Sequence, residues 1–508
     1  MRKLLSILLL VILLTVPACN AADVASPEGD DASGSEMTEA DSDTEAEPAS
    51  DDAETADADE DLAAVIAQIE EEAGTKNFVP DFAGALERTS GERFDGVTVT
   101  LFGASGQVDG LLPAAAAWEA ATGATVVIND YPFAEVPEKM ITALSTGIFI
   151  GDIMNVPPYF AGDLMGGGLI EPVPQEAIDA LDWDDVMAVY RENQLEWDGV
   201  VYGYPWDGDV HSLYYRTDLL ADPDFQAQFE EEYGYALDVP VNWTQFADQS
   251  EFFTGDWGDG QQHYGATMLL MRKNHGSEGF LSVAAGFNKM PDDPAFYFDP
   301  DTMEPRINNP GFVRALEYLQ DLMPYMPPDQ LNLDWFGNLQ AYVSGLTAMD
   351  IQWADVGPMS YDDSISVIGG KVGYALTPGS TEVYDARTDE WVEFPDVNMA
   401  PYAAFGGWMN MIPVNAEQKE AAIDLAIFLS SPEVLQYVSV TPGSGVNPAR
   451  TSTFEDTEAW MNVGFSSTEE IDDFISSQLE SANHPNAIYP LRIPGYLQYK
   501  DALELAIS

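Results

Sequence analysis

Strand and helix patterns alternate in the middle of this chain, and this alternation limits the folds open to it. A β-branched run at 97–102 is typical of a strand, and a helical stretch follows at 111–122. A strand at 125–128, a helix at 137–145 and a strand at 151–156 come next. Such alternation predicts a doubly wound parallel α/β sheet, whose ligands bind at the carboxyl ends of the strands.

The same alternation continues towards the C-terminus. Further helices are predicted at 243–253, 310–323, 334–344 and 416–430, and further strands at 346–351 and 371–375. The chain has 508 residues, and a single core stops growing at about 250–300 residues. We therefore expect more than one lobe.

The charge of the chain excludes several partners. Asp and Glu total 87 against 19 Lys and Arg, which gives a net charge of −68. Nucleic-acid phosphate and anionic lipid headgroups both need basic surface, so neither is an expected ligand. The acidity also suggests a surface suited to high salt, because salt screens the repulsion between like charges.

The N-terminus indicates export. Arg2 and Lys3 precede an apolar run at 4–14, so residues 1–18 are predicted to be a signal peptide. Small residues before Cys19 resemble a bacterial lipobox, which would make Cys19 the lipidated first residue of the mature protein. The alternative is an ordinary cleaved signal with an incidental cysteine. Cys19 is the only cysteine, so no intrachain disulfide can form.

A spacer follows the predicted lipid anchor. Residues 19–61 are small or acidic and contain no Lys or Arg, a composition typical of a disordered linker. Residues 62–94 are predicted to be a helical lead-in, which either docks on the folded part or ends the linker. Its apolar face consists of Leu62, Val65, Ile66 and Ile69.

Six motifs then occur in an order typical of one family. They are 151–156 with 168–173, 197–205 leading to 213–219, 240–246, 345–349, 406–408 with 412–413, and 421–433. Over about residues 95–505 they resemble the extracellular solute-binding proteins of sugar ABC importers, the family that includes maltose-binding protein. The resemblance implies a non-enzymatic carrier without a cofactor, which hands its ligand to the transmembrane permease subunits.

The resemblance also implies two α/β lobes joined by three crossing segments, with the ligand in the cleft between them. The first lobe is expected at 95–206 plus 352–410 and the second at 207–351 plus 411–508. The motifs at 197–205, 345–349 and 406–408 are expected to be the crossings. Closure around the ligand would be a hinge motion.

The first crossing carries residues suited to a sugar. Sugars present apolar faces, which suit aromatic rings, and hydroxyls, which suit carboxylates. The resemblance puts Asp209 where relatives bind sugar with an acidic residue, and Asp207 lies two residues away on the same side of an extended chain. Trp206 and His211 flank them. The alternatives are an acidic surface turn for the two aspartates and a structural role for His211.

Other candidates lie on later segments. The resemblance adds Tyr159 and Tyr496 as expected ligand-binding residues, and Trp353 and Trp408 are added because they follow crossings. Arg450 is a candidate because cations are scarce in this chain, and Phe280 and Trp257 are candidates from the second lobe. For each tryptophan the alternative is core or hinge packing, and for Arg450 it is a local salt bridge. Val156 stands where some relatives have Trp, so maltose is not carried over as the ligand.

Other chemistries have little support. No Gly-x-Ser-x-Gly or His-Glu-x-x-His motif occurs, and the four histidines have no metal-ligand spacing. Paired carboxylates leave a secreted polysaccharide hydrolase as an alternative, although chance pairs are expected in so acidic a chain. A polyol, a compatible solute or a glycerol phosphate is the alternative ligand for the same fold.

Overall fold

The computed structural model describes residues 62–68 and 80–507. The predicted signal peptide, the predicted lipidation site at Cys19 and the predicted linker at 19–61 lie outside the described residues, as does Ile69. The helices, in chain order, are α1 (62–68), α2 (Phe82–Leu86), α3 (Leu112–Thr122), α4 (Val136–Thr146), α5 (Ala161–Leu164), α6 (Gln175–Ala180), α7 (Ala188–Tyr190), α8 (Thr217–Leu220), α9 (Pro223–Tyr233), α10 (Trp243–Phe252), α11 (Gly276–Asn288), α12 (Pro310–Leu322), α13 (Trp335–Val343), α14 (Val356–Met359), α15 (Lys419–Leu429), α16 (Pro432–Val440), α17 (Thr451–Glu455), α18 (Thr457–Val463), α19 (Thr468–Asn483) and α20 (Tyr496–Ile507).

The strands alternate with these helices, as the sequence predicts. They are β1 (Thr98–Ala104), β2 (Thr125–Tyr131), β3 (Ile153–Val156), β4 (Glu196–Trp197), β5 (Val200–Val201), β6 (Tyr204–Pro205), β7 (Ser212–Arg216), β8 (Tyr264–Met268), β9 (Thr347–Gln352), β10 (Val372–Leu376), β11 (Ser380–Asp385), β12 (Glu390–Asn398) and β13 (Met409–Met411). Every helix and strand predicted between residues 97 and 430 is present, with its ends shifted by at most three residues.

Local sequence signals account for the helix ends. α3 and α4 stop at Gly123 and Gly147, which adopt the left-handed conformation with φ of 73° and 70°. Glycine has no Cβ and enters this region without steric cost. α10 starts after Asn242, whose side-chain oxygen accepts a hydrogen bond from the Gln245 amide at 3.0 Å.

The first sheet has the strand order β2-β1-β3-β13-β6. β1 runs parallel to both β2 and β3, which confirms the doubly wound arrangement. β13 adds to β3 in the antiparallel direction, and β6 pairs with β13. The carboxyl ends of β1 and β2 therefore lie side by side at one edge of this sheet.

The second sheet has the order β10-β7-β9-β8. β8 and β9 are parallel, while β7 is antiparallel to both of its neighbours, β9 and β10. α10 and α13 pack on β8, and α19 packs on β7 and β10. β9 is buried along its whole length, so the residues that follow it emerge from the centre of the lobe.

The chain crosses between the two sheets at three places. The first crossing, residues 206–211, joins β6 to β7, where the sequence predicts it. The second, residues 399–408, leads from the β11–β12 hairpin to β13 in the first sheet. The third lies between α16, which packs on α2, and α19 on the second sheet. Two lobes joined by three connections result.

The predicted lobe segments are wrong at two places. The segment 352–410 is expected in the first lobe, but its strand β10 pairs with β7 of the second sheet, so the motif at 345–349 is not a crossing. The segment 411–508 is expected in the second lobe, but α15 packs on α3 and α16 on α2. The choice between distant pairing partners is a long-range property, which local patterns do not encode.

Apolar side chains from both sheets belong to one continuous core. Leu101 and Ile153 of the first sheet and Leu213 and Met349 of the second are fully buried in it. Leu62, Val65 and Ile66 of α1 also pack against this core. Of the two readings of the lead-in helix, docking on the folded part therefore applies to α1.

The described ranges contain no single helix that is both long and apolar enough to cross a membrane. α15 and α16 meet the length and composition criteria only when taken together, and they are bent by 58° relative to each other. α15 is apolar because it is largely buried against its neighbours.

Candidate functional site

A cavity of about 220 Å³ lies where the loops of the two sheets meet. It is lined by Ala104, Ser105, Gln107, Pro132, Phe133, Asp207, Asp209, Asn274, His275, Asp334, Trp335, Trp353, Asp355, Trp408, Gly445 and Asn447. Both lobes and all three crossings contribute to this lining. We call it the interlobe cavity.

The fold explains why these residues meet. Ser105 follows β1 and Phe133 follows β2, at the carboxyl edge of the first sheet where α/β folds bind ligands. Asp207 and Asp209 lie on the first crossing. Trp353 follows the buried strand β9, and its backbone amide donates to the Gln352 side chain at 3.0 Å.

Three carboxyl groups converge on one asparagine. The Asn447 backbone amide donates to Asp207 Oδ1 at 2.6 Å. The Asn447 side-chain Nδ2 donates to Asp209 Oδ1 at 2.6 Å and to Asp355 Oδ2 at 3.1 Å. The three aspartates are at most 8% exposed. Asn447, on the third crossing, therefore ties together carboxyls from the first crossing and from the end of β9.

The backbone of the site is fixed by further hydrogen bonds between crossings. The Asp207 amide donates to the Trp408 carbonyl at 3.1 Å. Gln194 Nε2 donates to the carbonyls of both Asp207 and Trp408 at 2.9 Å. Gln194 is buried in a single π-helical turn, Arg191–Leu195; such turns often occur at functional sites. The first two crossings are thus held against each other beside the cavity.

The carboxyl groups are shifted towards their protonated forms. Burial, with the nearby Asp209 charge second, raises the pKa of Asp207 well above its usual range. Burial and the Asp355 charge do the same to the pKa of Asp209. Burial raises the pKa of Asp355 to about 6. The cluster therefore retains protons near neutral pH, and a protonated carboxyl both donates and accepts hydrogen bonds.

Aromatic rings form another part of the cavity lining. The Phe133 ring stacks on His275 with a centroid distance of 4.5 Å and meets Trp408 edge-on at 5.8 Å. His275 in turn meets Trp353 edge-on at 4.8 Å. Burial lowers the pKa of His275 to about 4, so this ring is neutral at pH 7. Phe133, His275, Trp353 and Trp408 thus form one contiguous group of rings in the lining of the cavity.

The arrangement does not suit a metal. Within residues 62–68 and 80–507, no group of three or more His, Cys, Asp or Glu side chains has a geometry that would hold a metal ion. Asp207, Asp209 and Asp355 share Asn447 as a hydrogen-bond donor. The lining of the cavity offers hydrogen-bonding groups and aromatic rings.

Comparison with known proteins identifies the family. Residues 113–466, more than half of the chain, match the family model described as "Bacterial extracellular solute-binding protein". This chain is a member of that family. Its fold and cavity agree with the resemblance stated from the sequence motifs.

Solved structures of similar fold support the two-lobed architecture of this family member. A solute-binding protein from Agrobacterium radiobacter K84 in complex with ribitol has a TM-score of 0.64 and 20% identity, covering 82% of this chain and 94% of the other. Maltose-bound MalE3 of T. maritima has a TM-score of 0.63 and 20% identity, covering 81% and 94%. A third structure, a solute-binding protein from Agrobacterium vitis S4 with bound D-mannitol, has a TM-score of 0.61 and 19% identity. The match covers 81% of this chain and 93% of the other.

A curated relative matches over a shorter stretch. The lactose-binding protein of Rhizobium radiobacter is 32% identical over 107 residues, which are 20% of this chain and 24% of that protein. The match thus spans about a quarter of that relative's length. The match agrees with the family assignment and supports no further conclusion about this chain.

Four of the residues singled out from the sequence line the interlobe cavity: Asp207, Asp209, Trp353 and Trp408. Trp206 and His211 flank the two aspartates but are fully buried outside the lining. His211 Nδ1 is 2.7 Å from the Ser282 hydroxyl, and burial lowers the pKa of His211 to about 3. This supports the structural reading of His211.

Tyr159 and Tyr496 lie together, outside the lining of the interlobe cavity. Their rings are 5.3 Å apart, and Lys500 Nζ lies 5.4 Å from the Tyr159 ring centroid. Tyr159 lines a second cavity of about 460 Å³, which shares Phe133 with the interlobe cavity. These two tyrosines therefore lie next to the site and not in it.

The remaining three candidates do not line the interlobe cavity. The buried Arg450 guanidinium donates to Asp185 at 3.2 Å and to the Ser430 carbonyl at 2.7 Å, which is the local salt bridge weighed as its alternative. Phe280 is a buried residue of α11, and its ring packs beside Phe312. Trp257 stacks on His263 at 3.9 Å in the second lobe. Each side chain has a structural partner instead of facing the cavity.

Several cavity residues were missed from the sequence. Phe133 follows β2 directly, so the rule about carboxyl ends of parallel strands would have found it. His275 precedes α11 with a φ of 66°, a backbone conformation rare outside glycine. Trp335 opens α13 after the capping Asp334. Asn447 carries no local signal, because only its distant carboxyl partners give it a role.

Proposed function

We propose that this protein is the substrate-binding component of an ABC importer and that it carries a small carbohydrate in the interlobe cavity. The observation that carries this proposal is the convergence of Asp207, Asp209 and Asp355 on Asn447 in a cavity that aromatic rings also line. Hydroxyl groups of a sugar would bind the carboxyls, and its C–H faces would lie on Trp353 and Trp408. A hydrogen bond to such a carboxyl contributes about 1.5–3 kcal/mol when the carboxyl is ionised.

Proteins of similar fold support this class of ligand. The solved relatives were obtained with ribitol, maltose and D-mannitol, and the curated relative is named for lactose. The cavity of about 220 Å³ is smaller than the about 300–1,000 Å³ of drug-sized pockets. A monosaccharide, a disaccharide or a polyol therefore fits this proposal better than a long oligosaccharide.

The same proposal includes export and a membrane tether. A signal peptide at 1–18 and lipidation of Cys19 would leave the protein outside the cytoplasmic membrane, with 19–61 as an acidic spacer. The permease subunits would recognise the closed form of the two lobes. In this arrangement the lipid on Cys19 would hold the protein at the membrane.

A thermal-shift and calorimetry screen of the full-length protein tests the proposal. Mono- and disaccharides, polyols and glycerol phosphates are added in high salt, and the ligand is quantified before and after incubation. A ligand at one hundred times its dissociation constant stabilises the native state by about 2.7 kcal/mol. A rise in midpoint with one class, without consumption of the ligand, is the expected result. Consumption would favour the hydrolase alternative.

Variants locate the binding site. Asp209→Asn should weaken binding of the ligand about tenfold or more, because it removes a charged hydrogen-bond partner while keeping the shape. Asp350→Asn is the matched control, since Asp350 is equally buried but lies in β9 outside the cavity lining. Equal losses in both variants would contradict the proposed site.

A glycerol phosphate fits less well. Phosphate recognition usually draws on Arg, Lys or a helix N-terminus, and no Lys or Arg is among the residues that line the cavity. Binding of glycerol phosphate in the screen, with no binding of sugars or polyols, would overturn the carbohydrate proposal.

A further inference from the structure

The interlobe cavity has an unusual balance of charge. Four acidic side chains line it, from Asp207, Asp209, Asp334 and Asp355. No Lys or Arg is among its lining residues, and the lining histidine, His275, is neutral at pH 7. A neutral sugar offers no charge to offset this concentration of carboxyls.

Two basic residues near the cavity are engaged elsewhere. The charge of Lys500 acts on His275, but Lys500 Nζ donates to Glu278 and to the Ser277 hydroxyl. Arg450 follows Asn447 by three residues and donates to Asp185. Neither side chain provides a counter-charge within the cavity.

The carboxyls also keep unused acceptor capacity. Asp207 is 1% exposed, and its Oδ2 is buried without a hydrogen-bond partner. The single Nδ2 of Asn447 serves both Asp209 and Asp355, whereas an ionised carboxylate has about four acceptor positions. A buried polar atom left unpaired costs about 1–3 kcal/mol. The cavity therefore suits a ligand with several N–H donors.

The aromatic wall is compatible with a cation. Trp353, Trp408 and Phe133 line the same cavity as the carboxyls, and an ammonium group is attracted to the faces of such rings. A quaternary ammonium would satisfy the charge but has no N–H to offer Asp207 Oδ2. A primary ammonium on a hydroxylated ring satisfies both requirements.

We propose that the ligand is an amino sugar, whose protonated amino group lies among Asp207, Asp209 and Asp355 while its ring lies against Trp353 and Trp408. This inference rests on the proposed function, because it names the class of sugar that the same cavity takes. In the empty cavity, burial and the repulsion between like charges keep protons on these carboxyls, and a bound ammonium would favour their ionised forms.

Matched pairs of sugars provide the test. Binding of D-glucosamine and D-glucose, D-galactosamine and D-galactose, and the deacetylated chitosan disaccharide and cellobiose is measured by calorimetry at pH 7 with the full-length protein. In at least one pair the amine should bind about tenfold more tightly than its hydroxyl counterpart. The N-acetylated form, which has no charge, should lose that preference.

Variants connect the preference to the cavity. Asp207→Asn and Asp209→Asn should each reduce the ratio of amine to hydroxyl affinity about tenfold, because each removes a carboxylate that attracts the ammonium group. Asp350→Asn, a buried aspartate outside the lining, should keep the full ratio. Measurement in 2 M KCl separates the buried pairing from general attraction by the charge of −68, because exposed charges are screened at that salt.

The outcomes separate the two proposals. If neutral sugars bind as tightly as their amines, the amino-sugar inference is overturned and the carbohydrate carrier stands. If choline binds and no sugar does, both are overturned. If none of the amino sugars binds, the inference is also overturned, whatever the neutral sugars do. If the preference survives in Asp207→Asn and in Asp209→Asn, the ammonium does not lie where we propose.

Discussion

At the residue scale, Asn447 is the residue on which the geometry of the site depends. Its backbone and side-chain amides hold Asp207, Asp209 and Asp355. Asn447→Ala removes the two side-chain hydrogen bonds and leaves buried carboxyls with fewer donors, so ligand affinity should fall about tenfold or more. Calorimetry with the ligand found in the sugar screen measures the change.

An exposed asparagine provides the control for this variant. Asn483 donates from its side chain to the Leu479 carbonyl on α19, away from the cavity. Asn483→Ala should leave the affinity unchanged. If Asn447→Ala binds the ligand as tightly as the parent protein, Asn447 does not organise the carboxyls.

Asp355 should make the ligand-free protein less stable as the pH rises. Burial raises its pKa from 3.8 to about 6, so the folded state holds this proton more tightly than the unfolded chain. The resulting stabilisation is complete below about pH 4 and is lost as the pH rises through about 6. In Asp355→Asn this part of the pH dependence should disappear.

Urea unfolding of both proteins between pH 4 and pH 8 measures the difference. Relative to the parent, Asp355→Asn should gain on the order of 1–3 kcal/mol at pH 8 compared with pH 4. Acidic groups outside the cluster cancel in the comparison, and loss of the Asp355 charge beside Asp207 and Asp209 changes the stability in the same direction. Parallel stability curves would contradict the shifted pKa.

The sequence predicts some of these residues and not others for a physical reason. Asp207 and Asp209 follow a recognisable crossing motif, so their position near a cleft can be inferred locally. Trp353 and Trp408 are likewise adjacent to a strand end or a crossing. Asn447 lies in a loop, and its importance comes only from carboxyls that are distant in the chain. A role that arises from long-range contacts leaves no signal in the local sequence.

At the element scale, Gly407 controls how closely two crossings approach. A Cβ built on Gly407 would lie 2.0 Å from the Asp207 carbonyl oxygen and 3.1 Å from the Asp209 amide nitrogen. Its φ of 95° is also unfavourable for residues with a Cβ. Gly407→Ala should therefore push the second crossing away from the aspartates and weaken both stability and ligand binding.

Gly168→Ala is the control that separates the effect of the steric clash at Gly407 from the effect of a positive φ. Gly168 has a φ of 69° but open space around its Cβ position, so alanine there should cost only about 1–2 kcal/mol and leave ligand affinity intact. Gly407→Ala should cost more in thermal or urea unfolding and should reduce affinity as well. Similar losses in the two variants would mean that the close approach has no role in the site.

The elements were largely predictable, while their assignment to lobes was not. Glycines after α3 and α4 and the asparagine before α10 are local signals, and the helices begin and end where these residues indicate. The pairing of β10 with β7 and the packing of α15 on α3 depend on contacts between distant segments. The third crossing was missed for this reason, and Asn447 was missed with it.

At the scale of the whole molecule, acidity should make stability depend on salt. The net charge of −68 concentrates repulsion in the folded protein, because folding brings the carboxylates closer together than they are in the unfolded chain. The Debye length shortens from about 10 Å at 0.1 M to about 3 Å at 1 M salt. Potassium chloride should therefore stabilise the folded state.

Thermal unfolding of the full-length protein without ligand tests this prediction between 0.1 M and 2 M KCl. The midpoint should rise by about 5 °C or more, and NaCl at equal ionic strength should raise it equally, because screening depends on ionic strength and not on the cation. Chloride salts are used because sulfate would strengthen apolar burial by itself. A midpoint indifferent to KCl would show that the acidic surface is not an adaptation to salt, and a rise with only one cation would point to specific ion binding instead of screening.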